Sequence, residues 1–147
     1  MYKRILIPTD GSNTARKAIK AGVATAKDLG AGVVGYHAAE PLERLYYGQG
    51  AGVRSVDIVA IEKRLRQLGT EYLDEIVQAA SAAGVACETV MTSPAAPYKG
   101  IIDAARKKKC DVIFMASHGR GKLASIMLGS VTQKVLTHSK IPVLVFR

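Results

Sequence analysis

The sequence predicts a single-domain α/β protein built on a five-stranded, parallel, doubly wound sheet. Short apolar runs alternate along the chain with segments of helical periodicity, which is the pattern of strands and helices around a parallel sheet. The chain has 147 residues, 48% of them hydrophobic, which is enough for one domain with a buried core and too few for two. In such a sheet, a ligand is expected at the carboxyl ends of the strands.

Five apolar runs are predicted as strands. They occupy residues 5–7, 33–36, 85–91, 112–115 and 143–146. The fourth and fifth runs are continuous enough for burial on both faces, whereas the third alternates and carries Glu88, as a strand nearer a sheet edge can.

Four connecting helices are predicted between these strands. In the first, apolar residues recur at helical spacing from Ala15 to Ala26, with Ser12 or Asn13 as the N-cap and Gly30 as the terminator.

The other three helices follow from the same periodicity. One ends at Gly84, one spans residues 97–109, and one begins at Ser130, which has capping-box spacing to Gln133. Residues 41–56 show no clean period, so we interpret them as a mobile excursion that covers a ligand or a partner.

Composition narrows the classes of function. The formal net charge is +9 and aromatic residues are only 5% of the chain, so a basic surface exists without platforms on which nucleic-acid bases stack. Apart from residues 106–109, at a predicted helix end where cations complement the helix dipole, the cations are scattered. We therefore expect no specific nucleic-acid partner.

Other compositional features point to an intracellular protein. No apolar run approaches the roughly 20 residues of a membrane span, and residues 1–4 lead directly into a strand. Cys87 and Cys110 lack metal-ligand spacing and are expected to be reduced thiols. We expect a cytoplasmic location.

Residues 113–133 contain the strongest candidate site. An apolar strand runs into a loop with Gly119 and Gly121, interleaved with the cations Arg120 and Lys122. Exposed backbone N–H groups of such a loop bind phosphate, as does the N-terminus of the helix that follows. On the glycines alone, an ordinary strand-loop-helix connection explains the segment equally well.

Asp10 follows the first strand, in an Asp-Gly-Ser turn. If the first and fourth strands are neighbours, Asp10 faces the loop of residues 115–122. Its carboxylate then contacts the ligand or forms hydrogen bonds within its own turn.

Taken together, these residues resemble the universal stress protein family over essentially the whole chain. Gly119, nine intervening residues, Gly129 and Ser130 fit the spacing of the family's nucleotide-binding members. Two further segments are similar to the family's sequences: Ile-Leu-Ile-Pro-Thr-Asp-Gly-Ser at residues 5–12 and Pro-Val-Leu-Val at residues 142–145. Ala116 replaces the first glycine of the family pattern, and its methyl group is a small obstruction beside the sugar.

The resemblance implies the strand order 3-2-1-4-5, with ATP across the ends of the first and fourth strands and magnesium or manganese on the triphosphate. It also implies a homodimer through Val143–Phe146, which lies at a sheet edge that a second subunit would cover. In this resemblance Asp10 and Ala116 contact the ribose, Ala38 contacts adenine, and backbone N–H groups from Gly119 to Val131 face the phosphates. The expected site residues are Pro8, Thr9, Asp10, Ala38, Met115, Ala116, His118, Gly119, Arg120, Gly129, Ser130 and Val131.

The leading hypothesis is an ATP-binding stress-response protein that acts as a nucleotide-responsive regulatory module. A slow ATP hydrolase and a nucleotide-free dimeric interaction protein are the alternatives. Residues 121–123 lack the Ser or Thr of a P-loop, and the first strand-helix turn lacks a dinucleotide fingerprint. His118 beside Ser117 is interpreted as a loop residue, because no nucleophile-elbow pattern is present and adjacent side chains alone form no triad.

Overall fold

The computed structural model describes residues 1–48, 55–120 and 127–147. Strands and helices alternate through these ranges. In chain order they are β1 (Arg4–Pro8), α1 (Asn13–Leu29), β2 (Gly32–Ala38), α2 (Leu42–Gly48), α3 (Ser55–Ala83), β3 (Cys87–Thr92), α4 (Pro97–Lys107), β4 (Val112–Ala116), α5 (Ser130–His138) and β5 (Val143–Phe146).

The strands form one parallel sheet in the order β3-β2-β1-β4-β5. The predicted fold class and strand order are therefore confirmed. Ile5 of β1 pairs with Val33 of β2 on one side and with Val112 of β4 on the other. The chain builds outward from β1 in both directions, so the carboxyl ends of β1 and β4 meet at the point where a doubly wound sheet opens a crevice.

Two hydrophobic layers hold the helices on the sheet. Alternate residues of β1 face opposite sides, because successive side chains of a strand point to opposite faces. Ile5 and Ile7 join the cluster formed with α1 and α3, whereas Leu6 joins the cluster formed with α4 and α5. Both faces of the central strands are covered, which explains their continuous apolar sequences.

The interpretation of residues 41–56 as an irregular excursion is wrong for the part that is described. Leu42–Gly48 forms α2, which is a fifth helix, and α3 begins at Ser55; residues 49–54 lie outside the described ranges. The helix α2 has only 7 residues, and the apolar side chains described on it, Leu42, Tyr46 and Tyr47, are 38%, 46% and 89% exposed, so they give little of the buried periodicity that predicts a helix.

The two helix starts that were predicted in detail have different outcomes. Ser12 is the N-cap of α1 and accepts from the Ala15 N–H at 3.1 Å, as expected. The capping box at Ser130 is wrong, because Gly129 is the N-cap of α5 and makes no side-chain cap hydrogen bond. The Gly129 N–H donates to the Ser117 carbonyl at 2.7 Å, which fixes Gly129 as the cap and leaves Ser130 as the first helical residue.

Glu88 illustrates how the edge strand β3 tolerates a charge. Its carboxylate contacts the guanidinium of Arg4 and the ammonium of Lys108, with 2.7 Å between Lys108 Nζ and Glu88 Oε2. These groups join β3 to β1 and to the end of α4.

Within the ranges that the structure describes, no helix has both the length and the apolar character needed to cross a bilayer.

Candidate functional site

A cleft of about 400 Å³ opens at the carboxyl ends of β1, β2 and β4. The structure brings all twelve expected site residues to its walls; their part in binding stays a prediction. The cleft is also lined by six residues that sequence reasoning did not select: Ala15, Tyr36, His37, Pro97, Ile101 and Thr132.

The backbone that follows β4 is fixed to the helices around it. The carbonyls of residues 116–118 accept hydrogen bonds, in order, from the Thr132 hydroxyl at 2.9 Å, the Gly129 N–H at 2.7 Å and the Thr14 hydroxyl at 2.9 Å. Three carbonyl oxygens, which would repel an anion, are thus bound to groups of the scaffold. The arrangement lowers the negative potential of this wall and favours an anionic ligand.

Asp10 forms the hydrogen bond within its own turn and also faces the loop after β4, and its contact with a ligand stays a prediction. Oδ1 accepts from the Ser12 N–H at 2.9 Å, within its own turn. Oδ2 accepts from the Arg120 N–H at 3.1 Å, across the end of the sheet. The carboxylate therefore joins the β1–α1 turn to the loop after β4, on the wall of the cleft.

Gly119 and Gly129 are needed for space. Neither is among the described glycines with positive φ, which are Gly11, Gly30 and Gly84. A Cβ on Gly119 would lie 2.5 Å from Asp10 Oδ2, and one on Gly129 would lie 3.3 Å from the Ser117 carbonyl oxygen. Gly121 and Lys122, which the sequence also placed in this loop, lie outside the described residues.

The other end of the cleft is apolar and closely packed. Ala38, Met115 and Ile101 line it together with Tyr36, which is 1% exposed. The Tyr36 hydroxyl shares a hydrogen bond of 2.7 Å with Thr92 Oγ1, and burial raises the pKa of this tyrosine. Tyr36 is therefore a neutral, fixed part of a wall that suits a flat apolar group.

His118 and its neighbour do not form catalytic machinery in the described structure. His118 Nδ1 shares a hydrogen bond of 2.8 Å with Ser117 Oγ, but Ser117 is only 4% exposed. Nε2 of His118 is buried and has no hydrogen-bond partner among the described residues. A nucleophile must reach its substrate, and a buried hydroxyl does not.

His37 is one of the cleft residues that sequence reasoning did not select. It donates from Nδ1 to the Thr9 carbonyl at 2.8 Å and lines the cleft beside Ala38. A single histidine at a strand end does not indicate a binding site in one sequence, because whether it lines a cleft depends on which strand lies beside it.

A metal site made of protein groups alone is not found in the described ranges, since no three His, Cys, Asp or Glu residues lie close enough to hold an ion. Asp10 is the acidic side chain on the described walls of the cleft.

The fold and the cleft define a doubly wound α/β protein with a ligand site at its topological switch point. Residues 1–147 match the model of the universal stress protein family. Universal stress protein MJ0531 of Methanocaldococcus jannaschii is 33% identical over 147 residues, covering 100% of this chain and 83% of that protein. The chain belongs to the universal stress protein family.

Two solved structures are similar over nearly the whole chain. The structure of MJ0577, a universal stress protein of the same archaeon, has a TM-score of 0.81 and 29% identity, and the match covers 99% of this chain and 95% of that one. A universal stress protein crystallised in complex with cAMP has a TM-score of 0.72 and 25% identity, covering 99% and 97% of the two chains.

Proposed function

We propose that this chain binds an adenine nucleotide, with ATP as the preferred ligand, and acts as a nucleotide-responsive regulatory module in a stress response. The observation that carries the proposal is the single cleft that joins an apolar wall, a carboxylate and a glycine-bearing helix start. A nucleotide has a matching part for each: a flat base, a sugar with hydroxyl donors and an anionic phosphate chain.

The helix start supports phosphate binding. Gly129, Ser130 and Val131 line the cleft at the N-terminus of α5, where the first N–H groups of a helix lack partners within the helix. Ser130 is exposed and is the first helical residue, so its hydroxyl adds a further donor. The carbonyls of residues 116–118 are bound to donors of the scaffold, which reduces their repulsion of a phosphate.

The middle and the apolar end support the nucleoside. The Asp10 carboxylate accepts two backbone N–H groups, and a carboxylate has capacity for more acceptor interactions, so ribose hydroxyls can donate to it. Ala38, Met115 and Ile101 offer an apolar surface to a base. The relative crystallised with cAMP supports an adenine nucleotide as the ligand class.

The residues present fit a magnesium or manganese ion that arrives with the triphosphate. Asp10 has two backbone partners already, and no protein cage exists in the described ranges. We therefore propose that phosphate oxygens and water hold the ion, which would neutralise part of the phosphate charge.

The test is direct binding to the full chain. Small molecules extracted from the purified protein are identified, and ATP, cAMP, adenosine and GTP are then titrated calorimetrically with and without magnesium. We expect one ATP per chain, tighter binding for ATP than for GTP or adenosine, and weakening in Ser130→Ala. Lys99→Ala, on the exposed side of α4, is the matched control. Absence of extracted nucleotide together with no binding heat and no thermal shift would overturn the proposal.

The same preparation separates the alternatives. Multiple turnovers of ATP, lost in Asp10→Ala while the fold is retained, would identify a slow hydrolase. Absence of nucleotide binding by a stable dimer would favour a nucleotide-free interaction protein. A cytoplasmic location stays a prediction, which fractionation of cells checks.

A further inference from the structure

We infer that Tyr72, on α3 and outside the cleft, is a positioning residue for the site: it holds Arg120, and with it the first residues after β4, against the β1–α1 turn. The inference rests on the proposed function, because it assigns to Tyr72 an effect on nucleotide affinity. Tyr72 does not line the cleft, whereas Arg120 does.

Arg120 has two sets of contacts, one to each side. Its backbone N–H donates to Asp10 Oδ2 at 3.1 Å, and its Nε donates to the Asp10 carbonyl at 2.8 Å. Its guanidinium carbon lies 5.2 Å from the centre of the Tyr72 ring, and Nη2 hydrogen-bonds the Tyr72 hydroxyl. Arg120 is exposed, so these contacts, and not burial, restrict its side chain.

Tyr72 is itself held in place by two neighbours. Its ring meets the His37 ring edge-on, with the centroids 5.5 Å apart and an interplanar angle of 73°. Its other neighbour is Gly11, which has a φ of 75° and leaves open the space that the tyrosine ring fills, since a Cβ there would overlap the ring. Glycine at this position therefore permits both the left-handed backbone conformation of the turn and the packing of the Tyr72 ring against it.

These contacts make α3 a support for three walls of the cleft. Tyr72 touches the end of β2 through His37, the β1–α1 turn at Gly11 and the loop after β4 through Arg120. Without Tyr72, Arg120 keeps its Asp10 contacts but gains rotational freedom that ligand binding must remove. Ordering a side chain and its loop on binding lowers affinity.

A double-mutant cycle tests the inference. Tyr72→Leu is expected to weaken ATP binding by about three- to tenfold, the size of one lost cation–π contact with its hydrogen bond. Tyr72→Phe, which keeps the ring, should lose less. In an Arg120→Ala background, Tyr72→Leu should cause a clearly smaller loss, because only its contacts with His37 and Gly11 remain to be removed. An equal loss in both backgrounds would show that Tyr72 only supports the fold, and would overturn the inference.

The chain offers a matched control on the opposite face of the sheet. Lys134 Nζ lies 5.7 Å from the ring centre of Tyr98, and Tyr98→Leu removes this contact of the same kind from a residue that, like Tyr72, does not line the cleft. We expect ATP affinity to be unchanged in Tyr98→Leu. A loss as large as that in Tyr72→Leu would contradict a specific role for Tyr72.

A second measurement needs no nucleotide. Amide hydrogen exchange of the ligand-free protein should speed up at Arg120 in Tyr72→Leu and stay unchanged in Tyr98→Leu. If the wild type binds no nucleotide but this exchange changes, the proposed function fails and the positioning contact stands. If ATP binds but Tyr72→Leu alters neither affinity nor exchange, the positioning role fails and the proposed function stands.

Discussion

At the residue scale, Gly119 lies beside the Asp10 carboxylate with no room for a side chain. Gly119→Ala would place a methyl group 2.5 Å from Asp10 Oδ2, too close for a van der Waals contact. Because Asp10 also accepts from the Arg120 N–H, the methyl group must displace the carboxylate or the loop. We expect ATP affinity to fall by about tenfold, or roughly 1.4 kcal/mol, as measured by calorimetric titration.

Gly32→Ala is the control for this substitution. An added Cβ at Gly32 lies 3.7 Å from the Ala86 carbonyl oxygen, an ordinary contact at the opposite end of β2 from the cleft. Its ATP affinity should match the wild type. Unchanged affinity in Gly119→Ala would mean that the nucleotide does not depend on the Asp10 position.

The side chain of Ala116 borders both the cleft and the hydrophobic core, so its substitution can affect ligand binding and stability. It lines the cleft and also belongs to the buried cluster on the α1 side of the sheet. If the methyl group obstructs the sugar, Ala116→Gly should tighten ATP binding, while glycine in a strand lowers stability by roughly 0.5–1 kcal/mol. Calorimetry and urea unfolding measure the two effects separately. Lower stability with unchanged affinity would show that the methyl group serves the core alone.

Cys110 provides a prediction about pH. Burial raises the pKa of this thiol from an ordinary value of 9.0 to about 11. The folded state therefore binds the thiol proton more tightly than the unfolded state does, and the resulting stability is present below pH 9 and is lost as the pH rises towards 11. The loss should be of the order of 2 kcal/mol.

Urea unfolding at pH 8 and pH 10.5 measures this change. Cys110→Ala is the control and should show a smaller decrease across the interval, because it lacks the titrating thiol. Folded wild type should also react slowly with iodoacetamide at Cys110 at pH 8. An equal decrease in both proteins would assign the pH dependence to other groups.

At the scale of elements, α4 approaches the sheet closely through a glycine. A Cβ on Gly100 would overlap the hydroxyl of Tyr36, which is buried at the floor of the cleft and hydrogen-bonded to Thr92. We expect Gly100→Ala to destabilise the protein by about 1–3 kcal/mol through overpacking, although alanine is the better helix former. Urea unfolding measures the change.

Lys99→Ala, one position earlier on the exposed side of α4, is the control and should lie close to the wild type. A stabilised Gly100→Ala variant would show that helix propensity outweighs the contact with Tyr36.

The helices also show which features a local sequence pattern can predict and which it cannot. The start of α1 at Ser12 was predictable because its cap hydrogen bond joins residues three positions apart. The start of α5 at Ser130 was also predicted correctly, but its cap was not, because the Gly129 N–H donates to the Ser117 carbonyl, which is beyond any local motif. The helix α2 was missed because it has only 7 residues and its described apolar side chains are exposed, whereas helical periodicity in a sequence reflects burial.

At the scale of the whole molecule, β5 is an edge strand, paired on one side only among the residues that the structure describes. We propose that it pairs with β5 of a second copy, because an exposed edge with apolar residues invites pairing. Leu144 is 40% exposed on this strand. Leu144→Lys should convert a dimer into a monomer, which light scattering after size-exclusion chromatography detects.

Val77→Lys is the matched control for the dimer. Val77 is 39% exposed on α3, which packs on β2 and β3 at the other side of the sheet. The Val77→Lys substitution should leave the measured mass of the dimer unchanged. A wild type that elutes as a monomer, or a dimer that survives Leu144→Lys, would contradict pairing through β5.

The sequence by itself determined the fold class and the positions of the five strands, because each strand is a local apolar run that must be buried. With the spacing of Gly119, Gly129 and Ser130, it also selected residues that the fold brings to one cleft. Only the tertiary structure decided how that cleft is held together. Asp10 meets Arg120 across 110 positions, and Arg120 meets Tyr72 across 48. Contacts between such distant residues depend on how the helices pack on the sheet, and local periodicity does not predict them.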